Sequence, residues 1–436
     1  MPGLIAPGLI ASAYAALATL AAPALRVMLR RRVRRGKEIA ARLPERWGED
    51  ATPRPPGRLL WLHGASVGEA MSLLPVLAVL AELAPDLTML VTTGTVSSGA
   101  LLARRLPELG LRAQVLHRFV PLDVPAWAAR FLAHWRPDAA GFVESEIWPN
   151  IIAACVRAGL PLVLLNARLS PRSAAGWRRA GAFGRRQFAA FASIQAQSDA
   201  DAARFSALGG RRVSVAGNLK FAAAPLPVDA PELERLRLRL AGRPVWLAAS
   251  THPGEEEPIL AAHEALAARH PRLLTIIAPR HPERGADVAG LAAAASTRRA
   301  LGEDPPDAAG VWVADTLGEL GLLYRLAQTV FVGGSLVPHG GQNPLEPARL
   351  GCAVAIGPHT HNFAAVTEEL TAAGALTQVA DAAALVAWVD AMLADAARRA
   401  EMGGAGIAAS RRHGDLPRQV AVTLLDLLTP SRGCPA

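Results

Sequence analysis

Residues Gly333–Arg349 read Gly-Gly-Ser-Leu-Val-Pro-His-Gly-Gly-Gln-Asn-Pro-Leu-Glu-Pro-Ala-Arg, directly after the short apolar run Thr329–Val332. The apolar run reads as a buried parallel strand. Its four following glycines let the backbone approach a ligand closely and adopt positive φ. Asn343 is placed to cap a helix whose first residue is Pro344, a favoured N1 residue. Strand, glycine loop and capped helix together predict an anion site built from free N–H groups and the positive end of a helix dipole. Glu346 falls in the first helical turn, where it can accept hydrogen bonds from ribose hydroxyls. The second half of the chain therefore reads as a nucleotide or sugar-nucleotide site.

The same alternation extends outward from this stretch. Apolar runs at Leu59–Leu62, Leu87–Val91, Gln114–Val120, Ala139–Val143, Leu160–Leu165, Ser193–Ala196 and Val213–Ala216 are separated by helical periodicity. The pattern restarts at Val245–Ala248, Leu273–Ile277, Val311–Val313, Thr329–Val332 and Ala353–Ile356. Alternating β and α predicts parallel sheets covered by helices on both faces. A chain of 436 residues exceeds one core. We read residues 1–57 as an anchor, basic segment and linker, 58–220 as a first Rossmann-like domain, 221–232 as a linker, and 233–436 as a second. Ligands in such sheets bind at the carboxyl ends of the strands, so the two domains are expected to face a shared cleft.

Charge is unevenly placed. Arg26, Arg30, Arg31, Arg32, Arg34, Arg35 and Lys37 carry seven of the net +9 charges, leaving +2 for the rest of the chain. So local a basicity argues against a general nucleic-acid surface. Residues 1–25 before it hold no charged side chain, and about 20 apolar residues span a bilayer core. The order, apolar stretch then basic run, predicts an N-terminal signal anchor with the body of the protein on the cytoplasmic side. Spanning the bilayer and lying in one leaflet both remain open. Cys155, Cys352 and Cys434 are far apart and suit a reducing compartment.

Several constellations end predicted strands. In Trp61-Leu-His-Gly-Ala-Ser-Val-Gly-Glu69, Glu69 starts a helix and is either a general base or a capping glutamate. In Gly141-Phe-Val-Glu-Ser-Glu-Ile-Trp-Pro-Asn150, one of Glu144 and Glu146 is expected at the cleft and the other in a structural ion pair. Lys220 in Asn-Leu-Lys-Phe221 can neutralise a donor's anionic group, or be a solvated lysine. In the second domain Ser250 or Thr251, with nearby N–H groups, can hold a phosphate. Arg280 in Pro279-Arg-His-Pro-Glu-Arg284 can do the same, with His281 in contact. Gly318 and Leu320 offer backbone groups to a base edge. No metal-ligand spacing and no Walker A sequence is present; His359 and His361 read as loop caps.

These pieces jointly resemble the bacterial 3-deoxy-D-manno-octulosonic acid (Kdo) transferases of lipopolysaccharide synthesis. The motifs carrying the resemblance are HGASVGE, ESEIWPN, NLKF, PRHPER, GGSLVPHGGQNPLEPA and GPHTHNF, in the expected order. The resemblance implies an α/β glycosyltransferase B architecture, CMP-Kdo as donor, the lipid A precursor as acceptor, the inner membrane as location and no cofactor or metal. It makes Glu69 the general base, and Glu144 and Lys220 supports of the transition state. It places CMP at Pro279, Arg280, Gly318, Glu319, Leu320, Asn343, Pro344, Leu345 and Glu346. Another membrane-associated sugar-nucleotide transferase and an inert nucleotide-binding membrane scaffold are the competing readings. An oxidoreductase is disfavoured, since no G-x-G-x-x-G follows the first strand.

Overall fold

A computed structural model describes residues 7–222, 225–412 and 414–429. Residues 223–224 of the expected linker, the first six residues of the expected anchor and the tail with Cys434 lie outside them. The chain divides into two compact units, residues 1–223 with 413–436, and residues 224–412.

The first unit is built on seven parallel strands: β1 (Leu59–His63), β2 (Thr88–Thr93), β3 (Val115–Phe119), β4 (Ala139–Val143), β5 (Leu162–Ala167), β6 (Ser193–Ala196) and β7 (Val213–Val215). Their order is β3-β2-β1-β4-β5-β6-β7. The winding reverses between β1 and β4, which pair in register from Leu60↔Ala139 to His63↔Phe142. Side chains alternate across the sheet, as the two-residue period of a strand requires. Leu59 and Trp61 enter a core with Phe131, Phe142, Ile151 and Phe188. Leu60 and Leu62 enter the opposite core with Leu73, Leu77 and Leu165. Both faces are thus buried, which explains the unbroken apolar runs.

The helix Leu416–Leu428 covers that second face through Leu416, Val420, Leu424 and Leu428. The second domain therefore does not run to residue 436, as the sequence reading had it. Once the chain leaves the second unit, its last helix completes the first. The signal lay in Gly141, on β4. A Cβ there would sit 2.9 Å from Leu62 Cδ2, 3.0 Å from Leu165 Cδ1 and 3.1 Å from Leu424 Cδ2.

The N-terminal helix Pro7–Arg34 has 28 residues, about 42 Å at ~1.5 Å per residue. Its segment Gly8–Arg34 is long and apolar enough to cross a membrane, with mean hydropathy 1.6. It also docks on the first unit. Tyr14 donates from its hydroxyl to Asp123 Oδ2 at 2.9 Å, Arg26 stacks over Trp47 and Trp127, and Leu29 is buried. Leu9, Leu17 and Leu20 remain exposed. Arg32 pairs with Glu38 at 3.3 Å, while Arg30, Arg31, Arg34, Arg35 and Lys37 are exposed.

The second unit repeats the plan with β8 (Val245–Thr251), β9 (Leu274–Pro279), β10 (Ser296–Arg298), β11 (Gly310–Val313), β12 (Thr329–Val332), β13 (Ala353–Ile356) and β14 (Leu376–Gln378). Their order is β10-β11-β9-β8-β12-β13-β14, so the winding reverses between β8 and β12. The unit's first helix, Ala230–Arg239, is capped by Asp229. The linker thus ends at 229 rather than 232.

Candidate active site

In an open parallel sheet the two loops at the reversal point diverge and leave a crevice at the carboxyl ends of the strands. In the first unit those loops follow β1 and β4, and they carry the HGASVGE and ESE segments. Ser66 caps the helix Val67–Leu83 by accepting from Glu69 N. Glu69 reciprocates: its carboxylate accepts from Ala65 N at 2.7 Å and from Ser66 Oγ at 2.7 Å. This is a variant of the capping box in which the backbone donor is Ala65 rather than the N-cap Ser66, so the capping reading of Glu69 holds. It does not exclude the base, because a carboxylate has about four acceptor sites. Burial pushes the Glu69 carboxyl above its ordinary range, and the charges of Glu146 and Glu144 push it further. The hydrogen bonds from Ser66 and Ala65 oppose this without cancelling it.

Glu144 stands at the end of β4 with φ of 57°. Left-handed backbone at a non-glycine residue costs of order 1–3 kcal/mol and clusters at functional sites. Its carboxylate is 2.8 Å from Lys220 Nζ. A Cβ on Gly68 would lie 4.0 Å from that same Nζ, so the lysine reaches the first turn of the Glu69 helix. Lys220 is not a solvated lysine: it is two-thirds buried and paired. It stands on the short 3-10 turn Leu219–Ala222. Asn166, also in the left-handed region, holds this turn by accepting from Leu219 N at 2.9 Å.

Glu146 takes the structural partnership. Its Oε2 lies 3.1 Å from His63 Nε2 and accepts from Trp148 Nε1 at 2.6 Å. Burial pushes its carboxyl up, but the His63 hydrogen bond and charge and the Trp148 indole outweigh it, so the group sits below its usual range. Sequence reasoning gave His63 and Asn166 no role. Each is one polar residue in an apolar strand, and only the topology brings them to the reversal point. Pro149 opens the next helix, Pro149–Arg157, at N1.

In the second unit the reversal-point loops follow β8 and β12, and here the structure corrects the sequence reading. The expected phosphate cradle is filled by the protein itself. Glu255, fully buried, accepts from Gly334 N at 2.6 Å, from Ser335 N and Leu336 N at 2.9 Å, and from His252 N at 2.9 Å. The N–H groups of Gly334, Ser335 and Leu336 therefore hold an internal carboxylate, while Gly333 N donates to Ala249 O. Thr251 donates to Glu256 at 2.9 Å, so its hydroxyl too is occupied, and Ser250 forms a bulge with φ of 58°.

The remaining expected donor-site residues surround this loop. The helix after it is Leu345–Arg349, one residue later than expected. Its N-cap is Pro344 rather than the expected Asn343; Asn343 accepts from Leu345 N at 3.1 Å in the turn before the helix, and its amide donates to Glu346 at 3.3 Å. Burial pushes the Glu346 carboxyl up; Asn343, Arg349 and Arg280 pull in the other direction. The charge of Arg280 is thus close to Glu346, as a shared ribose-phosphate site needs. Pro279 ends β9, and Arg280 and His281 are exposed beyond it. Gly318 has φ of 84°. Glu319 is bonded to Arg299 at 2.7 and 2.6 Å, which leaves backbone rather than side chain for a ligand at this turn. Leu320 begins the next helix.

Residues 41–223 match the family model described as 3-deoxy-D-manno-octulosonic-acid transferase (kdotransferase). The chain is 37% identical over 396 residues to the probable mitochondrial 3-deoxy-D-manno-octulosonic acid transferase of Arabidopsis thaliana, covering 88% of each chain. It is 35% identical over 398 residues to the 3-deoxy-D-manno-octulosonic acid transferase of Haemophilus influenzae, covering 89% of this chain and 91% of the other. Among solved structures, UDP-GlcNAc 2-epimerase from Neisseria meningitidis bound to UDP-GlcNAc matches with a TM-score of 0.59 at 14% identity, over 85% of this chain and 100% of that one. A glycosyltransferase from Rickettsia africae matches with a TM-score of 0.56 at 12% identity, over 86% of this chain and 100% of that one. These two likenesses are of fold, and they place the two-sheet plan with the glycosyltransferase B-like proteins. Identity above one third along most of the chain, together with the ordered motifs at both reversal points, makes this protein a member of the 3-deoxy-D-manno-octulosonic acid transferases.

Proposed function

We propose that the chain transfers Kdo from CMP-Kdo to a hydroxyl of the lipid A precursor at the cytoplasmic face of the inner membrane. The observation that carries this is the group at the β1/β4 reversal point: a buried, doubly hydrogen-bonded Glu69 beside the Glu144–Lys220 pair. Glu69 takes the proton from the acceptor hydroxyl as its oxygen attacks the anomeric carbon of Kdo. Burial raises its pKa, which makes the ionised group a better proton acceptor than an ordinary carboxylate. Lys220 supplies positive charge where the sugar carboxylate and departing phosphate bring negative charge, and Glu144 fixes its position. The anomeric carbon inverts in this single displacement. CMP departs from the second unit, where Arg280 faces its phosphate and Glu346 its ribose.

The N-terminal helix supports membrane attachment. Its docking at Tyr14, Arg26 and Leu29 favours a helix lying in one leaflet, with Leu9, Leu17 and Leu20 toward the acyl chains and the exposed arginines toward anionic headgroups.

Thermal stabilisation of the full chain by CMP, compared with UDP and NAD, tests the donor. Stabilisation by CMP at concentrations where UDP and NAD have no effect is the expected result. Preferential stabilisation by UDP moves the protein to another sugar nucleotide, and none by any of the three leaves a nucleotide-free scaffold.

A further inference from the structure

The β8/β12 reversal point holds a group of imidazoles that the transfer chemistry above does not use. His252, buried after β8, lies against His339 of the glycine loop with ring centroids 3.8 Å apart. His281, after β9, meets the same ring edge-on at 6.0 Å. Gln342 Nε2 is 3.0 Å from His252 Nε2, so the amide donates to an unprotonated ring nitrogen. Gly334 makes room for the ring: a Cβ there would be 3.1 Å from His252 Cδ2. From the loop after β13, His361 Nε2 would be 2.6 Å from a Cβ on Gly340.

The charges facing His252 are of both signs, but the acids are engaged: Glu255 accepts from His252 N at 2.9 Å and from Gly334 N, Ser335 N and Leu336 N. Arg280 stands near it, and the second acid, Glu256, is already held by Arg284 at 2.7 and 3.2 Å and by Thr251. Glu283, 3.7 Å from His281, is exposed beyond that ring. Two imidazoles in ring contact beside an arginine, with the nearby carboxylates Glu255 and Glu256 already bonded, disfavour two protons when the site is empty. An anion inserted among them reverses the balance.

We propose that the His252–His339 pair forms a proton-linked anion subsite that gains one proton when the phosphate or sugar carboxylate of the nucleotide donor enters. This rests on the donor-site reading above. Protonation of His252 at Nε2 requires the Gln342 amide to rotate so that its oxygen accepts, so the loop between β12 and the following helix reports the event. In the empty site burial pushes the His252 imidazole down to about 4, with His339, His281 and Arg280 adding to the shift. The sign follows. Binding raises that value, so affinity strengthens as pH falls through the ligand-bound value, by at most about tenfold per pH unit for one proton.

Titration calorimetry of the full chain with CMP and with CMP-Kdo, in two buffers of different ionisation enthalpy between pH 7.5 and 8.5, measures the proton directly. Proton uptake on CMP assigns the subsite to phosphate; uptake on CMP-Kdo alone assigns it to the carboxylate. His339→Gln and His252→Gln should still bind, more weakly, without uptake. His339 is exposed, so its variant decides the matter if the His252 variant fails to fold. Binding without uptake in wild type, or uptake undiminished in the folded variants, overturns the proposal while leaving the donor site standing. Absence of any CMP binding overturns both.

Discussion

Glu69 is asked to be two things, a helix cap and a base, and the conflict has measurable consequences. A carboxyl whose folded pKa is raised above its unfolded value lends stability below the unfolded value and loses it as pH rises through the folded one. Once ionised, Glu69 is therefore a burden on the fold. The acid limb of turnover should lie above that of an ordinary glutamate, because the base must be ionised to work. Neighbours should move that limb in opposite directions. Ser66→Ala removes a hydrogen bond that favours the carboxylate, so the limb should move to higher pH, with about 1 kcal/mol of stability lost at the cap. Glu146→Gln removes a repelling charge, so the limb should move to lower pH. A pH–rate profile on each variant checks both signs, and movement of both in one direction would remove Glu69 from the role.

The loops and the closing helix explain what could and could not be read ahead. All twelve strands expected from apolar runs are present: ten are interior strands, apolar because both faces are covered, and the edges β3 and β7 keep enough apolar residues to be read. The two missed, β10 (Ser-Thr-Arg) and β14 (Leu-Thr-Gln), are sheet edges, where half-exposed polar residues erase the signal. Glu69, Glu144 and Lys220 were legible because each follows a strand. Glu255 was not: in the sequence it is one of three consecutive glutamates, and only folding turns it into the anion that the Gly334–Leu336 N–H groups hold. Glu255→Gln puts an amide NH₂ against those donors. It should cost about 3 kcal/mol or more, seen as an earlier unfolding transition of the second unit in urea; an unchanged midpoint would contradict that assignment. The sequence likewise hid where the last helix goes, since its amphipathic pattern fits either sheet. Leu424→Ala should destabilise the first unit by about 2–5 kcal/mol. Combined with Gly141→Ala, which needs the space Leu424 vacates, the total should fall below the sum of the two single losses.

On the scale of the whole molecule, the α/β body carries, among the described residues, one helix long and apolar enough to cross a membrane and a local basic run, and the proposed function has these two hold the enzyme at a lipid surface. Replacing Leu9, Leu17 and Leu20 together by serine should leave the melting temperature unchanged, because all three are exposed. Binding to anionic vesicles should fall by at least about tenfold, given ~1.5–3 kcal/mol per buried leucine. Replacing Arg30, Arg31 and Arg34 by glutamine should give a milder loss that disappears in high salt. Vesicle flotation distinguishes the two, and full retention by the triple serine variant would refute the anchor. The central claim is that Glu69 is the general base of Kdo transfer, and one comparison tests it most directly. Kdo transfer from CMP-Kdo to the lipid acceptor is followed for wild type and Glu69→Gln, with CMP affinity measured on the same preparations. We predict turnover lower by about 10²- to 10⁴-fold with CMP affinity unchanged; a variant that keeps more than about a tenth of wild-type turnover, below the least a general base contributes, would contradict the account.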